Sequence, residues 1–325
     1  MKKRIFLVVL MVAIFACLFA ISVSAETPKN YIEFKVKLVG QTEYITAYTK
    51  DIFPSDPKFS FKEAFYSDID FTQEITKSEI EGLDLSNATP KNNSKDYIVY
   101  LESASSPYPN CKEIKWFSKG RATAIGMIMF QNWTALESFD FGCATDIVDR
   151  AFNNTGLKTL VIPSTVTSIK SGAFAGCKNL TTVTIEGAPT TINEGAFSDC
   201  TALESVDFPL LKRVYDGAFQ RCALLSSVNF PKIIEIGPYG FADCASLKAA
   251  RFPALKKLGN YAFSNCTSLK EFNFSIINDI GEYVFYGCTA LRKAENFKWS
   301  YVPDGLFCDC SSLEVLDFSS VTQVG

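Results

Sequence analysis

The chain contains no histidine in 325 residues. That absence removes Ser-His-Asp and Cys-His nucleophile pairs, an imidazole general base and His-ligated zinc. Tryptophan and methionine are also scarce, with 3 and 4 copies. No GxGxxG follows a strand, and neither a GxxxxGK[ST] phosphate loop nor an EF-hand loop occurs, so nucleotide and calcium sites with those signatures are excluded. No basic excess is present either. Lys and Arg number 32 against 35 Asp and Glu, a formal charge of −3, whereas binding to bare nucleic acid usually needs a basic face. Carboxylate pairs such as Glu137 with Asp140, or Asp68 with Asp70, are read as solvated surface, and a glycosidase-like role for them is set aside.

Residues 1–25 read as a signal peptide. Lys2, Lys3 and Arg4 precede an apolar run, and Val23-Ser24-Ala25 supplies short side chains for cleavage before Glu26. A retained membrane anchor is the alternative. The expected localisation is therefore secreted or cell-surface, where disulfides are chemically permitted.

What the chain does have is phenylalanine, 28 copies, in strict phase. Phe stands at 130, 152, 174, 197, 219, 241, 263, 285 and 307, in steps of 22 residues with a single step of 23. From Cys177 to Cys310 a Cys follows each Phe by three positions, and from Leu180 to Leu313 a Leu follows each Cys by three. Next comes an alternating couplet, such as Val183 with Ile185, Val206 with Phe208 and Val228 with Phe230. Alternation predicts one short strand per coil with the couplet facing inward. Pro163, Pro209, Pro231 and Pro253 then end the strand. A second apolar pair follows (Leu211 and Val214, Ile233 and Ile236), then a turn marked by Gly237, Gly259 and Gly281. Each coil buries about six apolar side chains against its neighbours, because a single coil has no core of its own.

The run G-A-F-x-x-C-x-x-L-x-x-V-x-F-P, as in Gly195 to Pro209 and Gly217 to Pro231, resembles the BspA-like (Treponema-type) leucine-rich repeat. The resemblance implies a curved solenoid over residues 108–325, carried on cell surfaces or secreted, and used for adhesion or protein binding. Trp133 and Thr155 stand where the motif has Cys, and Asn296 interrupts the strand pattern, so the coils there are expected to be irregular.

Residues 26–107 lack the repeat and are expected to form a β-rich cap or a small domain. Ile32 to Leu38 alternate as a strand, Gly40-Gln41 turns the chain into a second strand at Tyr44 to Tyr48, residues 86–96 read as a loop, and Tyr97 to Leu101 as a further strand. At the other end, the sequence stops inside a coil at Gly325. It is read as a fragment of a longer protein or as an open coil through which copies self-associate.

The cysteine column is read first as buried free thiols, because side chains in one column point the same way and reach the S–S torsion poorly. One or two disulfides involving Cys308, Cys111 or Cys143 are the second reading. A thiolate metal site is the third, and Cys308-x-Cys310 lacks a second pair for it. No cofactor is expected. Seven N-x-[ST] sequons occur, at Asn87, Asn92, Asn132, Asn153, Asn179, Asn265 and Asn273.

The outward strand positions are the candidate partner-binding residues: Thr182, Thr184, Ser205, Asp207, Ser227, Asn229, Arg251, Glu271 and Asn273. They would form a ladder that meets an extracellular protein or a glycan-bearing surface, with no nucleic acid and no small-molecule substrate. The expected role is a non-catalytic binding module. The alternative is a structural surface-layer or spacer protein that self-associates.

Overall fold

In the computed structural model the described residues are 31–38, 40–50, 58–59, 65–66, 74–75, 80–90, 100–101, 116–118, 124–125, 127, 129–142, 144–186, 189–274, 276–294, 300–316 and 321–324, and they contain strands and turns but no helix. The segment 1–25, Asp68 with Asp70, Asn92, Cys111, Cys143 and Asn296 lie outside them.

The amino-terminal alternation becomes the strand Tyr31–Leu38, paired antiparallel with Ile45–Lys50. Gly40 at φ 78° and a bond from the Gln41 N–H to the Leu38 carbonyl (3.1 Å) close the turn between them. The loop expected at 86–96 is corrected in its first half. Ile80–Pro90 is a strand on the other edge of Tyr31–Leu38, with register shifts between Glu33 and Lys35 and between Lys37 and Leu38. Pairing with an existing strand outweighs the turn preference of Asn87 and its polar neighbours, since strand formation depends on context more than on composition. Residues 91–99 are outside the described set, and Tyr100–Leu101 is a two-residue strand. Ile80–Pro90 also pairs in parallel with Trp116–Ser118, which pairs in turn with Ser138–Asp140. The amino-terminal strands and the first coils thus share one seven-stranded sheet.

From residue 124 onward the coils stack. The expected strand appears as Thr159–Ile162, Thr182–Ile185, Ser205–Asp207, Ser227–Asn229 and Ala249–Arg251, paired in parallel within two sheets of three and two strands. Its burial alternates as the spacing requires: in Thr182–Ile185 the threonines are exposed while Val183 and Ile185 are buried. The coils carry a second strand as well. The apolar pair after proline ends in two-residue strands, from Ala124–Ile125 to Asp279–Ile280, that form one continuous parallel sheet of eight. Two residues hide a strand from period-based reading, because alternation needs at least four positions to register.

The third side of each coil is a turn around the repeating Phe. Two positions there adopt left-handed backbone, two residues before and two after the Phe. The first column runs Arg150, Gly172, Gly195, Gly217, Tyr239, Tyr261, Tyr283 and Gly305; the second runs from Asn132 to Asp309. This geometry aims N–H groups along the axis. Gly217 donates to the Pro238 carbonyl (2.8 Å), Phe219 to Gly240 (2.9 Å) and Arg221 to Ala242 (2.8 Å). Gly237, Gly259 and Gly281 are not the left-handed residues of the turn. They stand where successive coils approach closely: a Cβ on Gly259 would lie 2.4 Å from the Pro238 nitrogen.

The core follows the coils. Between Ala218 and Ile236 one coil buries eight apolar side chains (Ala218, Phe219, Cys222, Leu225, Val228, Phe230, Ile233 and Ile236), two more than expected. The repeating Phe rings stack from Phe130 to Phe307 at centroid spacings between 5.1 Å and 6.0 Å. Within the array the planes stay nearly parallel, 4° apart for Phe197 and Phe219.

Candidate functional site

The strand face holds the outward ladder. Thr182 lies beside Ser205, and Thr184 beside Asp207. Ser227 lies beside Ala249, and Asn229 beside Arg251. Glu271 makes an isolated parallel bridge with Lys293, while Asn273 is exposed outside any strand. All nine candidate residues are exposed. The fold brings them together in two rows, one through Thr182 and Ser205, the other through Thr184 and Asp207. Sequence reasoning left out the residues that complete the rows, Thr159 and Val161 on the preceding coil and Lys293 further on. Val161 is 55% exposed, an apolar contact within an otherwise polar face.

The ladder opens beyond Ala249–Arg251, where Glu271 keeps only its bridge to Lys293. A recess of 410 Å³ lies there, lined by Arg251, Phe252, Pro253, Glu271, Asn273 and Lys293 among others. Its lining combines aromatic rings with charges of both signs. No ion pair joins Asp207 or Arg251 to another described residue.

The second strand face differs. Its outward column reads Arg213, Glu235, Lys257 and Asp279 at successive coils. Arg213 donates to Glu235 at 3.1 Å, and Lys257 lies 3.8 Å from Glu235 and 3.3 Å from Asp279. Alternating signs at a 22-residue step pair the charges with one another, so this face satisfies itself. The pattern is visible in the sequence once it is written in register. Glu137, half of a carboxylate pair in the sequence, is held by Lys158 at 2.8 Å, and Asp140 accepts the Gly142 N–H at 2.9 Å.

On the turn side, Arg221 donates two N–H bonds to the Asp199 carboxylate, at 2.5 and 2.8 Å. The Arg221 guanidinium holds the Asp199 carboxyl below its usual range. Sequon residues also work here: the Asn153 amide donates to the Ala175 carbonyl (2.7 Å) and the Asn265 amide to Asp243 (2.8 Å).

Among the described residues eight cysteines are free thiols, and the seven in the column, from Cys177 to Cys310, are buried. Each column thiol donates to the Phe carbonyl of the preceding coil, as Cys222 does to Phe197 (3.2 Å) and Cys288 to Phe263 (3.1 Å). This bond explains Cys over Ala or Val, and spacing alone does not reveal it. Thr155 occupies the same place one coil earlier, 3.2 Å from the Cys177 sulfur. Burial pushes the Cys200, Cys222, Cys244, Cys266 and Cys288 thiols well up and Cys310 up to about 11, so they stay protonated and unreactive near neutral pH. Cys308 alone among the described cysteines is exposed. No group of three or more metal-ligating side chains occurs among the described residues.

No curated protein matches the chain in sequence. Among solved structures, a leucine-rich repeat protein from Bacteroides ovatus ATCC 8483 is similar, 24% identical with a TM-score of 0.56, over 76% of this chain and 73% of that one. A leucine rich cell surface protein from Faecalibacterium prausnitzii A2-165 is 23% identical over 64% of this chain and 60% of that one, with a TM-score of 0.42. A leucine-rich repeat protein of T. pallidum is 24% identical over 52% of this chain and 73% of that one, with a TM-score of 0.37. The BspA type leucine rich repeat region matches in six copies over residues 123–248 and 212–325, the span in which the Phe, Cys and Leu columns run. With that repeat over more than half its length, the chain belongs to the BspA-type leucine-rich-repeat family.

Proposed function

We propose that the protein is a binding module that works at the cell surface or after secretion and engages an extracellular macromolecule through its strand face. The observation that carries this reading is the contrast between the two strand faces. One pairs its charges internally from Arg213 to Asp279. The other presents Asp207, Asn229, Arg251 and Glu271 outward, beside a 410 Å³ recess with Phe252 and Phe272 in its lining. Charges that do not stabilise the fold are available to a partner, and a row of them is met at once by a macromolecule. The basic and apolar segment 1–25 supports export. Extracellular proteins or glycan-bearing surfaces are the partner class.

The test is binding of the full chain to immobilised extracellular-matrix proteins and glycoproteins, followed by surface plasmon resonance. Saturable binding that is lost in Asp207→Lys and Arg251→Glu supports the reading. Binding unaffected by both changes overturns the choice of face. Filaments that form with rising concentration and without any ligand would instead make the protein a self-associating coat or spacer.

A further inference from the structure

The turn face bears a second surface, built at the left-handed column before the Phe. Gly172, Gly195, Gly217 and Gly305 fill that column in four coils, at φ 57° to 62°. Three consecutive coils between them use tyrosine, at φ 56° (Tyr239), 58° (Tyr261) and 55° (Tyr283). Glycine adopts this backbone without penalty, and a bulky side chain does not. The backbone's task is the same in both sets. The Tyr261 N–H donates to the Glu282 carbonyl (3.0 Å) as the Gly217 N–H donates to Pro238 (2.8 Å). The fold therefore does not need the phenol rings, and their presence at strained positions calls for another reason.

The rings form an ordered stack. Tyr239 and Tyr261 are 5.1 Å apart with parallel planes, and Tyr261 and Tyr283 are 5.0 Å apart at 4°. The stack continues sideways to Tyr286, set edge-on to Tyr283 at 6.4 Å. At its end Tyr283 occupies the space a side chain on Gly305 would take, since a Cβ there would lie 2.2 Å from the ring. Tyr239 remains 42% exposed and nearby Tyr301 43%.

Carboxylates flank the Tyr283 end of this stack. Glu282 precedes Tyr283 in the chain and its carbonyl accepts the Tyr261 N–H (3.0 Å), Asp304 accepts a bond from the Tyr301 hydroxyl (3.3 Å), and Asp309 raises the Tyr286 phenol from its ordinary value. Glu282, Asp304 and Asp309 are exposed, and no ion pair among the described residues neutralises any of them. Lys257, the basic member of the neighbouring face, is engaged with Glu235 and Asp279. Negative charge beside electron-rich rings attracts ammonium and guanidinium groups, which combine carboxylate and ring contacts.

We infer that the tyrosine stack and its flanking carboxylates are a docking strip for a lysine- and arginine-bearing segment of a partner protein, separate from the strand face. The experiment uses the full chain and a synthetic peptide rich in lysine and arginine, with a control peptide in which those residues are glutamine. Isothermal titration should show binding of the basic peptide only, weakening as salt rises. The triple change Tyr239→Gly, Tyr261→Gly and Tyr283→Gly keeps the net charge and restores the residue used in other coils. It should weaken binding by roughly tenfold or more while the far-ultraviolet spectrum is unchanged. If that variant folds poorly, the triple change Glu282→Gln, Asp304→Asn and Asp309→Asn tests the same strip and should abolish binding. Absence of binding by the unaltered chain overturns the inference. So does equal affinity in the tyrosine variant, which would reduce the effect to net charge, or stronger binding to a neutral glycan than to the basic peptide.

Discussion

Replacing Phe219 with alanine removes one ring from the middle of the stack. Phe219 is fully buried, with Phe197 at 5.5 Å on one side and Phe241 at 5.2 Å on the other. Phe208 and Phe230 touch it from the strand side, at 5.9 and 6.4 Å. The coils above and below cannot close the gap, because backbone bonds hold them in place: Phe197 to Ala218 at 2.8 Å and Phe219 to Gly240 at 2.9 Å. Phe→Ala changes cost about 3–5 kcal/mol in cores, with the higher values where a site cannot collapse. Phe219→Ala is therefore expected near the top, about 4–5 kcal/mol. Phe307 is only half-buried and stacks on Phe285 at 6.0 Å, so Phe307→Ala should cost roughly 1–2 kcal/mol in proportion to the apolar area it buries. Urea unfolding followed by circular dichroism reads both. A cost below about 1 kcal/mol for Phe219→Ala, or equal costs at both sites, would refute the stacked-ring account.

Other expectations follow from the same geometry. Gly156→Ala should destabilise by roughly 1–3 kcal/mol in the same unfolding assay, since a Cβ there would lie 2.1 Å from the Thr134 carbonyl oxygen. In the native chain at pH 8, a thiol reagent should modify Cys308 and spare Cys177, Cys200, Cys222, Cys244, Cys266 and Cys288, all of which should react after unfolding without reductant. The raised thiols also set an alkaline limit. Their native values lie above the ordinary 9.0, so the unfolded chain loses protons first, and stability should fall as pH rises above about 9 in a pH series of urea melts. Asp199 has the opposite sign: its carboxyl is lowered by Arg221, so its small contribution is present above the ordinary 3.8 and fades as pH drops below it. Asp199→Asn should flatten that acid limb slightly. Lys257→Glu, which places an acid between Glu235 and Asp279, should destabilise by a few tenths of a kcal/mol, as exposed pairs do.

Much of the coil was legible in the sequence because the signals repeat in phase. The Phe, Cys and Leu columns and the alternating couplet each recur at one spacing, and that spacing alone assigns the core positions from Phe174 to Leu291. Features that depend on contacts between coils were harder to read. The two-residue strands from Ala124–Ile125 to Asp279–Ile280 are too short to alternate. The thiol bond from Cys222 to Phe197 joins residues 25 apart and leaves no mark in composition. The Arg213, Glu235, Lys257 and Asp279 row emerges only when coils are aligned by parallel register. At the candidate site, the outward positions were readable from alternation, whereas the recess beside Arg251 arises where pairing between strands lapses, which a per-coil pattern does not contain. The tyrosines were hidden for a different reason. They recur in phase, two residues before Phe241, Phe263 and Phe285, but at a place that other coils give to glycine, and spacing does not express a ring stack on left-handed backbone.

Successive coils hold one another through backbone bonds in the turn as well as in the strands. Hydrogen exchange at the Phe amides reads those turn bonds one by one. Phe174, Phe197, Phe219, Phe241 and Phe263 each donate to a carbonyl of the next coil, at 2.8 or 2.9 Å. These five amides should be protected together, to a similar degree as the buried strand amides. Exchange at the rate of an unfolded chain in this column, with protection confined to the strands, would contradict the stacked-coil architecture.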